Sequence, residues 1–265
     1  MVLGASAGVG GAIARAVAGD PGLHVFGVHR NHFPEEAAAV GDDVRATGRE
    51  AVLHVADAGT ADGAASCAAV LADAVPPRSV ALMVHALSGA SIGHFLPSDG
   101  QPAPFHPKQF EKTFNYLAHS FAYWVQELHE RDLLAPGARM LGLTNTLHDS
   151  LLHNLGLVAG AKAALEMYVK QLALELGPLG HRVNLLKFGT IVTPALRVVL
   201  GDDAIARIEE LHRRMVPAGR ICTAEEVGRC ISLLMRDEAA WFNGATIDFT
   251  GGVALRLMDI LFEGK

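Results

Sequence analysis

The sequence predicts a doubly wound α/β fold in a single domain, one parallel seven-stranded sheet with helices on both faces. Three observations carry that expectation. Short apolar runs alternate with longer helical patterns from end to end, as in repeated βα units. Half of the 265 residues are hydrophobic but only 6% are aromatic, so Ala, Val, Leu and Gly supply a core suited to helices packed closely on a parallel sheet. The first apolar run also passes straight through glycines into an Ala-rich helical pattern.

In chain order the strands are expected at Met1–Gly4, Leu23–His29, Ala51–Ala56, Val80–Ala86, Arg139–Asn145, Arg182–Lys187 and Thr246–Phe249. The first reads as clipped short, because strand-forming residues begin almost at Met1. Helices are expected at Gly11–Ala18, Glu35–Thr47, Ala61–Ala74 and Lys108–Asp132, then at His153–Leu176, Asp202–Met215 and Ala224–Arg236. Strict alternation leaves no room for a second domain, so residues 1–265 read as one unit. The longest irregular segment, Ser88–Pro107, is rich in Gly, Pro and Ser and follows the fourth strand. It therefore belongs at the carboxyl edge of the sheet, where open α/β sheets bind ligands.

A formal net charge of −6 gives no electrostatic footprint for nucleic acid or an anionic membrane. The 13 histidines form no cluster at metal-ligand spacing. Three cysteines, an odd number in a long chain, imply no disulfide framework. No apolar run is long enough to span a bilayer, and no charged-then-apolar leader precedes the first strand. A soluble, cytoplasmic protein is expected.

Leu3-Gly4-Ala5-Ser6-Ala7-Gly8-Val9-Gly10-Gly11-Ala12 runs from the first strand into the first helix. Glycines there let the backbone turn tightly and approach a pyrophosphate, while the helix N-terminus offers free N–H groups to the anion. With its glycines spaced Gly4-x-x-x-Gly8-x-Gly10, the segment resembles the short-chain dehydrogenase/reductase family, and the resemblance covers essentially the whole chain. It implies a Rossmann domain that binds a nicotinamide dinucleotide, with Gly4, Ser6, Gly8, Val9 and Gly10 around the phosphates. Asp57 and Ala58, after the third strand, match the adenine-contacting position, and Ala86 ends the fourth strand. Phe188-Gly189-Thr190-Ile191-Val192-Thr193-Pro194 resembles the segment that closes over the nicotinamide, through Ile191 and Thr193. Asn243–Gly252 is similar to the family's last strand and Gly-Gly turn.

Cofactor choice is read at the end of the second strand, where a carboxylate bonds the ribose 2′-OH of NAD and an arginine accommodates the phosphate of NADP. Val28-His29-Arg30-Asn31 offers Arg30 and no acid until Glu35, and the Ser6 hydroxyl can add to the same phosphate. NADP(H) is expected over NAD(H).

At the chemical end the resemblance implies Lys162 as the ribose-binding lysine and Asn115 as the helix asparagine. The family's tyrosine stands four residues before that lysine, where this chain has Val158. The enoyl-acyl-carrier-protein reductase branch places it seven before, where this chain has Leu155, and the branch's other active-site tyrosine falls on Asn145. Met83-Val84-His85-Ala86, Leu117–Phe121 and His153–Lys162 nevertheless resemble that branch. Leucine and valine can neither donate a proton nor stabilise an enolate, which weighs most against ketone reduction. Enoyl-thioester reduction needs only hydrogen bonds at the enolate oxygen, and Asn145, Thr144 or Thr146 can supply one. His148, Asp149 and His153 are candidate substitute acids in the preceding loop. Tyr116, Tyr123 and Tyr168 match no family position and read as packing residues, and Lys187 reads as a lysine snorkelling to solvent.

The leading expectation is an NADP(H)-dependent reductase of activated, enoyl-thioester-like double bonds with an altered proton donor. Ser88–Pro107 and Thr193–Met215 would cover an apolar, acyl-like ligand, with Phe188, Ile191, Leu196 and Val199 beside it. Two alternatives stay open: a nucleotide-binding pseudoenzyme subunit, and a carbonyl reductase or related lyase using a substitute acid. The family resemblance implies a homotetramer or homodimer through the helices Phe110–Leu128 and Leu155–Leu176, which carry apolar residues on more than one face.

Overall fold

Largely apolar runs of two to eleven residues form the strands β1 (Val2–Leu3), β2 (Val25–His29), β3 (Ala51–Val55), β4 (Val80–His85), β5 (Leu134–Thr144), β6 (Arg182–Phe188) and β7 (Thr246–Phe249). The computed structural model describes residues 1–97, 100, 103–146, 152–253 and 255, apart from the side chains of Ala195 and Val199. All pairings are parallel, in the order β3-β2-β1-β4-β5-β6-β7. From β1 the chain winds outward to β3, then returns to β4 and winds the other way. The reversal lies between β1 and β4, so a crevice opens beyond the carboxyl ends of those strands.

The described helices are α1 (Gly8–Ala18), α2 (Pro34–Ala46), α3 (Ala61–Ala74), α4 (Pro107–Phe114), α5 (Ser120–Glu130), α6 (Gly156–Leu176), α7 (Pro194–Leu200), α8 (Asp202–Met215) and α9 (Ala224–Leu234). Successive strand residues point to opposite faces. Leu3, Met83 and Met140 enter one core with Phe121, Trp124 and Leu165, whereas Val2, Val84 and Leu141 enter the other with Ile13, Val40 and Ile231. This two-sided burial is the doubly wound architecture expected from the sequence. Trp124 is fully buried, and its indole N–H donates to the Ala58 carbonyl at 2.9 Å, tying α5 to the segment after β3.

Four differences from the sequence expectation bear on the site. The helix expected over Lys108–Asp132 is interrupted by a π turn at Asn115–His119 between α4 and α5. Residues Pro194–Leu200 form a helix rather than a loop, capped by the Thr193 side chain and opened by proline at its first position. β5 begins at Leu134 instead of Arg139, with an irregular register against β4 between Val80 and Leu82. Lys187 does not simply reach for solvent: it sits opposite Asp248 in the β6–β7 register, with its ammonium 3.1 Å from that carboxylate. Burial alone would raise the Asp248 carboxyl; hydrogen bonds from Thr250 and the Lys187 charge hold it below the usual carboxylate range.

No helix among the described residues is long and apolar enough to cross a membrane. Among the same residues no group of three or more His, Cys, Asp or Glu is arranged to hold a metal ion.

Candidate active site

The glycine-rich turn does what its sequence requires. Gly4 has φ +88°, and a Cβ there would lie 2.7 Å from the Ala86 carbonyl oxygen, so β1 can turn against the end of β4 only without a side chain. A Cβ on Gly10 would lie 2.0 Å from the Gly4 carbonyl oxygen, so α1 comes this close to β1 only because Gly10 has none. Gly8, at φ +56°, opens α1 next to the Thr193 side chain. The N-cap residue Ala7 gives no side-chain cap, so the first-turn N–H groups of α1 are left for an anion. Ser6 and Val9 lie half-buried in this turn. A cavity of about 530 Å³ adjoins it, lined among others by Gly8, Ile191, Val192, Pro194, Arg213 and Arg220. Both arginines are engaged, Arg213 with Glu210 and Arg220 with Glu226.

Arg30 leaves the end of β2, and Asp57 stands two residues beyond β3. Asp57 Oδ1 accepts the Gly59 N–H at 3.0 Å. It also accepts the Tyr116 hydroxyl at 2.6 Å, and the Arg30 guanidinium lies 4.5 Å above the centre of the Tyr116 ring. Tyr116 is therefore more than a packing residue: the π turn delivers it to the two residues read as nucleotide contacts. Burial and the Asp57 bond raise its phenol above the ordinary value, so it stays neutral. Residue periodicity carries no cue to this contact, which depends on the extra residue wound into the π turn.

The chemical end gathers on the α5–α6 side of the sheet edge. Lys162 is buried on α6, its ammonium donating to the Leu143 carbonyl at 2.6 Å. Burial pushes it down to about 8. Thr144, at the end of β5, is 2% exposed, and its hydroxyl has no hydrogen-bond partner among the described residues. Asn145 follows it, half-buried and engaged. Asn115 opens the π turn, half-buried as well; π turns of this kind recur at functional sites. Leu155 and Val158, seven and four residues before Lys162, pack with Phe114, Leu117 and Ala161 in a small apolar cluster.

His85, which motif reading singled out only as part of a strand, is fully buried here, its Nε2 2.8 Å from the Ser120 hydroxyl. Burial, and next the Lys162 charge, push its imidazole down to about 3. An unfolded imidazole titrates near 6.5, so the unfolded chain binds more protons between those values and stability falls as the solution is acidified through that window. His85→Gln, which keeps a hydrogen-bonding group, is expected to remove about 2 kcal/mol of the stability change between pH 6.5 and 5, read by denaturant midpoints at each pH.

The loop after β4 docks beside this edge. The Gly93 N–H donates to the Asn154 carbonyl and the Phe105 N–H to the His94 carbonyl, each at 3.0 Å. His94 and His153 meet edge to face at 5.1 Å between ring centres. Phe95, Phe105 and Phe110 form a mutually packed trio, with Phe95 against Gly156 at the start of α6. Of the expected site residues, His148 and Asp149 lie outside the described residues, as do Ser98, Asp99, Gln101 and Pro102 of the loop and the side chain of Val199.

The family model described as Enoyl-(Acyl carrier protein) reductase matches residues 4–254. Versicolorin reductase 1 of Aspergillus parasiticus is 26% identical over 259 residues, 95% of this chain and 94% of that protein. The 1-cyclohexenylcarbonyl-CoA reductase of Streptomyces collinus is 24% identical over 255 residues, 96% of this chain and 86% of the relative. Dehydrogenase OXI1 of Cochliobolus heterostrophus is 35% identical over a shorter stretch of 101 residues, 38% of this chain and only 44% of the relative. Among solved structures, a short chain dehydrogenase from Burkholderia cenocepacia J2315 in complex with NADP superposes with a TM-score of 0.77 at 24% identity, covering 96% of each chain. A seven-stranded parallel sheet, its glycine-rich turn and a family match over nearly the whole length agree, and the chain belongs to the short-chain dehydrogenase/reductase family of oxidoreductases.

Proposed function

We propose that the chain is an NADP(H)-dependent reductase of activated, enoyl-thioester-like double bonds that works without the family tyrosine. The observation that carries the reading is the buried Lys162 cation, held 2.6 Å from the carbonyl of Leu143, the residue before Thr144, whose buried hydroxyl has no hydrogen-bond partner among the described residues. A buried cation at a sheet edge is costly, and a neighbouring anionic or hydroxyl-rich ligand offsets that cost.

The residues fit a dinucleotide. Gly4 and Gly10, where a Cβ would strike the Ala86 and Gly4 carbonyls, let the turn that carries Ser6, Gly8 and Val9 bring the uncapped N-terminus of α1 close against β1, where a pyrophosphate would lie. Arg30 would meet the 2′-phosphate; Asp57, Ala58 and Ala86 would line the adenosine half, and Ile191, Thr193 and Lys162 the other. The bound nucleotide supplies a hydride. Lys162 would orient a ribose hydroxyl through its charge, with Asn115 supporting that end through the π turn. Thr144 and Asn145 would donate hydrogen bonds to the thioester carbonyl, polarising it and stabilising the developing enolate. The Leu155–Val158 cluster and the Phe95–Phe105–Phe110 trio would exclude water and receive an apolar acyl chain. The family description and the Streptomyces relative, named for a conjugated CoA thioester, support this substrate class. The exposed Met167 and Leu174 of α6 fit burial in the homodimer or homotetramer that belongs to this reading, as does a cytoplasmic setting.

NADPH consumption is the test, measured with matched enoyl- and β-ketoacyl-thioesters. Turnover of the enoyl substrate alone, reduced at least ten-fold by Asn145→Ala, is expected. Binding of NADPH without turnover of either would favour a nucleotide-binding subunit. The His94–His153 pair favours a second reading, carbonyl reduction with His153 as the acid. It requires keto-thioester turnover that His153→Ala removes.

A further inference from the structure

Three elements converge on Tyr116 at the edge of the sheet. Arg30 comes from the end of β2, Asp57 from the segment after β3, and Tyr116 from the π turn. Tyr116 is 7% exposed and closely packed: a Cβ on Gly59 would lie 2.6 Å from the ring, and one on Gly89 2.8 Å. Its hydroxyl is committed to Asp57 at 2.6 Å. The ring therefore has little freedom. Arg30 is the opposite, exposed and with no ion pair among the described residues. Its guanidinium rests 4.5 Å over the ring centre, an attractive placement for a cation on an aromatic face. A long, flexible cation with no carboxylate partner is thus held by an immobile surface rather than left to sample solvent.

We propose that Tyr116 is a positioning residue for nucleotide selection, its ring holding the Arg30 guanidinium where a 2′-phosphate meets it. Discrimination between the phosphorylated and unphosphorylated dinucleotides then depends on Tyr116 as well as on Arg30. The proposal rests on the NADP(H) reading. The same ring links the two halves of the adenosine site, because its hydroxyl steadies Asp57 while its face steadies Arg30. The two roles separate chemically. Phenylalanine keeps the face and loses the hydroxyl; leucine keeps most of the bulk and loses both.

The experiment measures dissociation constants of NADPH and NADH, by quenching of protein fluorescence, for wild type, Arg30→Ala, Tyr116→Leu, Tyr116→Phe and the double variant Arg30→Ala/Tyr116→Leu. Tyr116→Leu is expected to lower the NADPH-over-NADH preference about five-fold, a change of the size that a cation–aromatic contact supports. Tyr116→Phe should keep the preference within about two-fold of wild type, shifting both nucleotides alike. In the Arg30→Ala background Tyr116→Leu should leave the preference unchanged, since the ring acts through that side chain. A Tyr116→Leu preference equal to wild type, while Arg30→Ala collapses it, overturns the role of Tyr116 and leaves the NADP(H) reading standing. A preference untouched by Arg30→Ala overturns that reading itself.

Discussion

Lys162→Met is expected to yield a protein that is more stable at pH 7 and inactive. The folded ammonium releases its proton near 8 and an unfolded one near 10.5. Below pH 8 both states are protonated, and the folded chain bears the full cost of burying the charge, about 3 kcal/mol. Between 8 and 10.5 the unfolded chain binds more protons, so wild-type stability rises with pH across that window. Methionine fills the same channel without charge. After allowance for the lost Leu143 hydrogen bond, a gain of about 1–2 kcal/mol at neutral pH is expected, fading as pH approaches 10.5. On the proposed role of Lys162, in which its charge orients the nucleotide, turnover should fall about 10³-fold. Denaturant melts at pH 7 and 10 read the first effect, and kcat/KM the second. A Lys162→Met protein less stable than wild type at pH 7 would contradict the burial argument.

Gly10→Ala is expected to have the second large effect. The new methyl would sit 2.0 Å from the Gly4 carbonyl oxygen and 2.9 Å from its carbon, both backbone atoms that cannot swing aside. Helix α1 would have to lift from β1, at about 3 kcal/mol of stability, and its N-terminus would move off the anion position. A nucleotide affinity at least ten-fold weaker follows. Gly160→Ala on α6 is the contrast: its Cβ would lie 3.8 Å from Phe114, ordinary contact, so a neutral or slightly stabilising outcome is expected from helix propensity. Calorimetric melting of the two variants, with NADPH titration, distinguishes a local clash from a general intolerance of alanine.

The sheet was legible because its signal is repeated. Val-, Leu- and Ile-rich runs separated by helical periodicity place the seven strands within a few residues, and a glycine turn after the first anchors the order. What escaped was local or long-range. Thr193-Pro194 is a helix start by its own chemistry, a capping hydroxyl followed by a proline whose missing N–H costs nothing, yet its place in a loop segment hid α7. Pro136 and Gly137 broke the pattern ahead of Arg139, although β5 runs through them. The π turn leaves no mark in residue periodicity, and with it went the meeting of Tyr116 with Asp57 and Arg30. Lys187 reads from sequence as a snorkelling lysine because its partner, Asp248, is reached only through the β6–β7 register. At the chemical end Lys162 was singled out by the family resemblance, whereas the burial of Lys162, His85 and Thr144 depends on the packed helices.

The most direct test of a reductase that works through Lys162 without the family tyrosine is hydride tracing. The purified chain would be mixed with a short trans-2-enoyl-CoA and NADPH carrying deuterium at the transferred position, and the thioester product weighed by mass spectrometry. A saturated product bearing one deuterium at the β-carbon, formed by wild type and not by Lys162→Met, is the expected result. Recovery of unchanged enoyl-CoA from a wild-type protein that binds NADPH would contradict it.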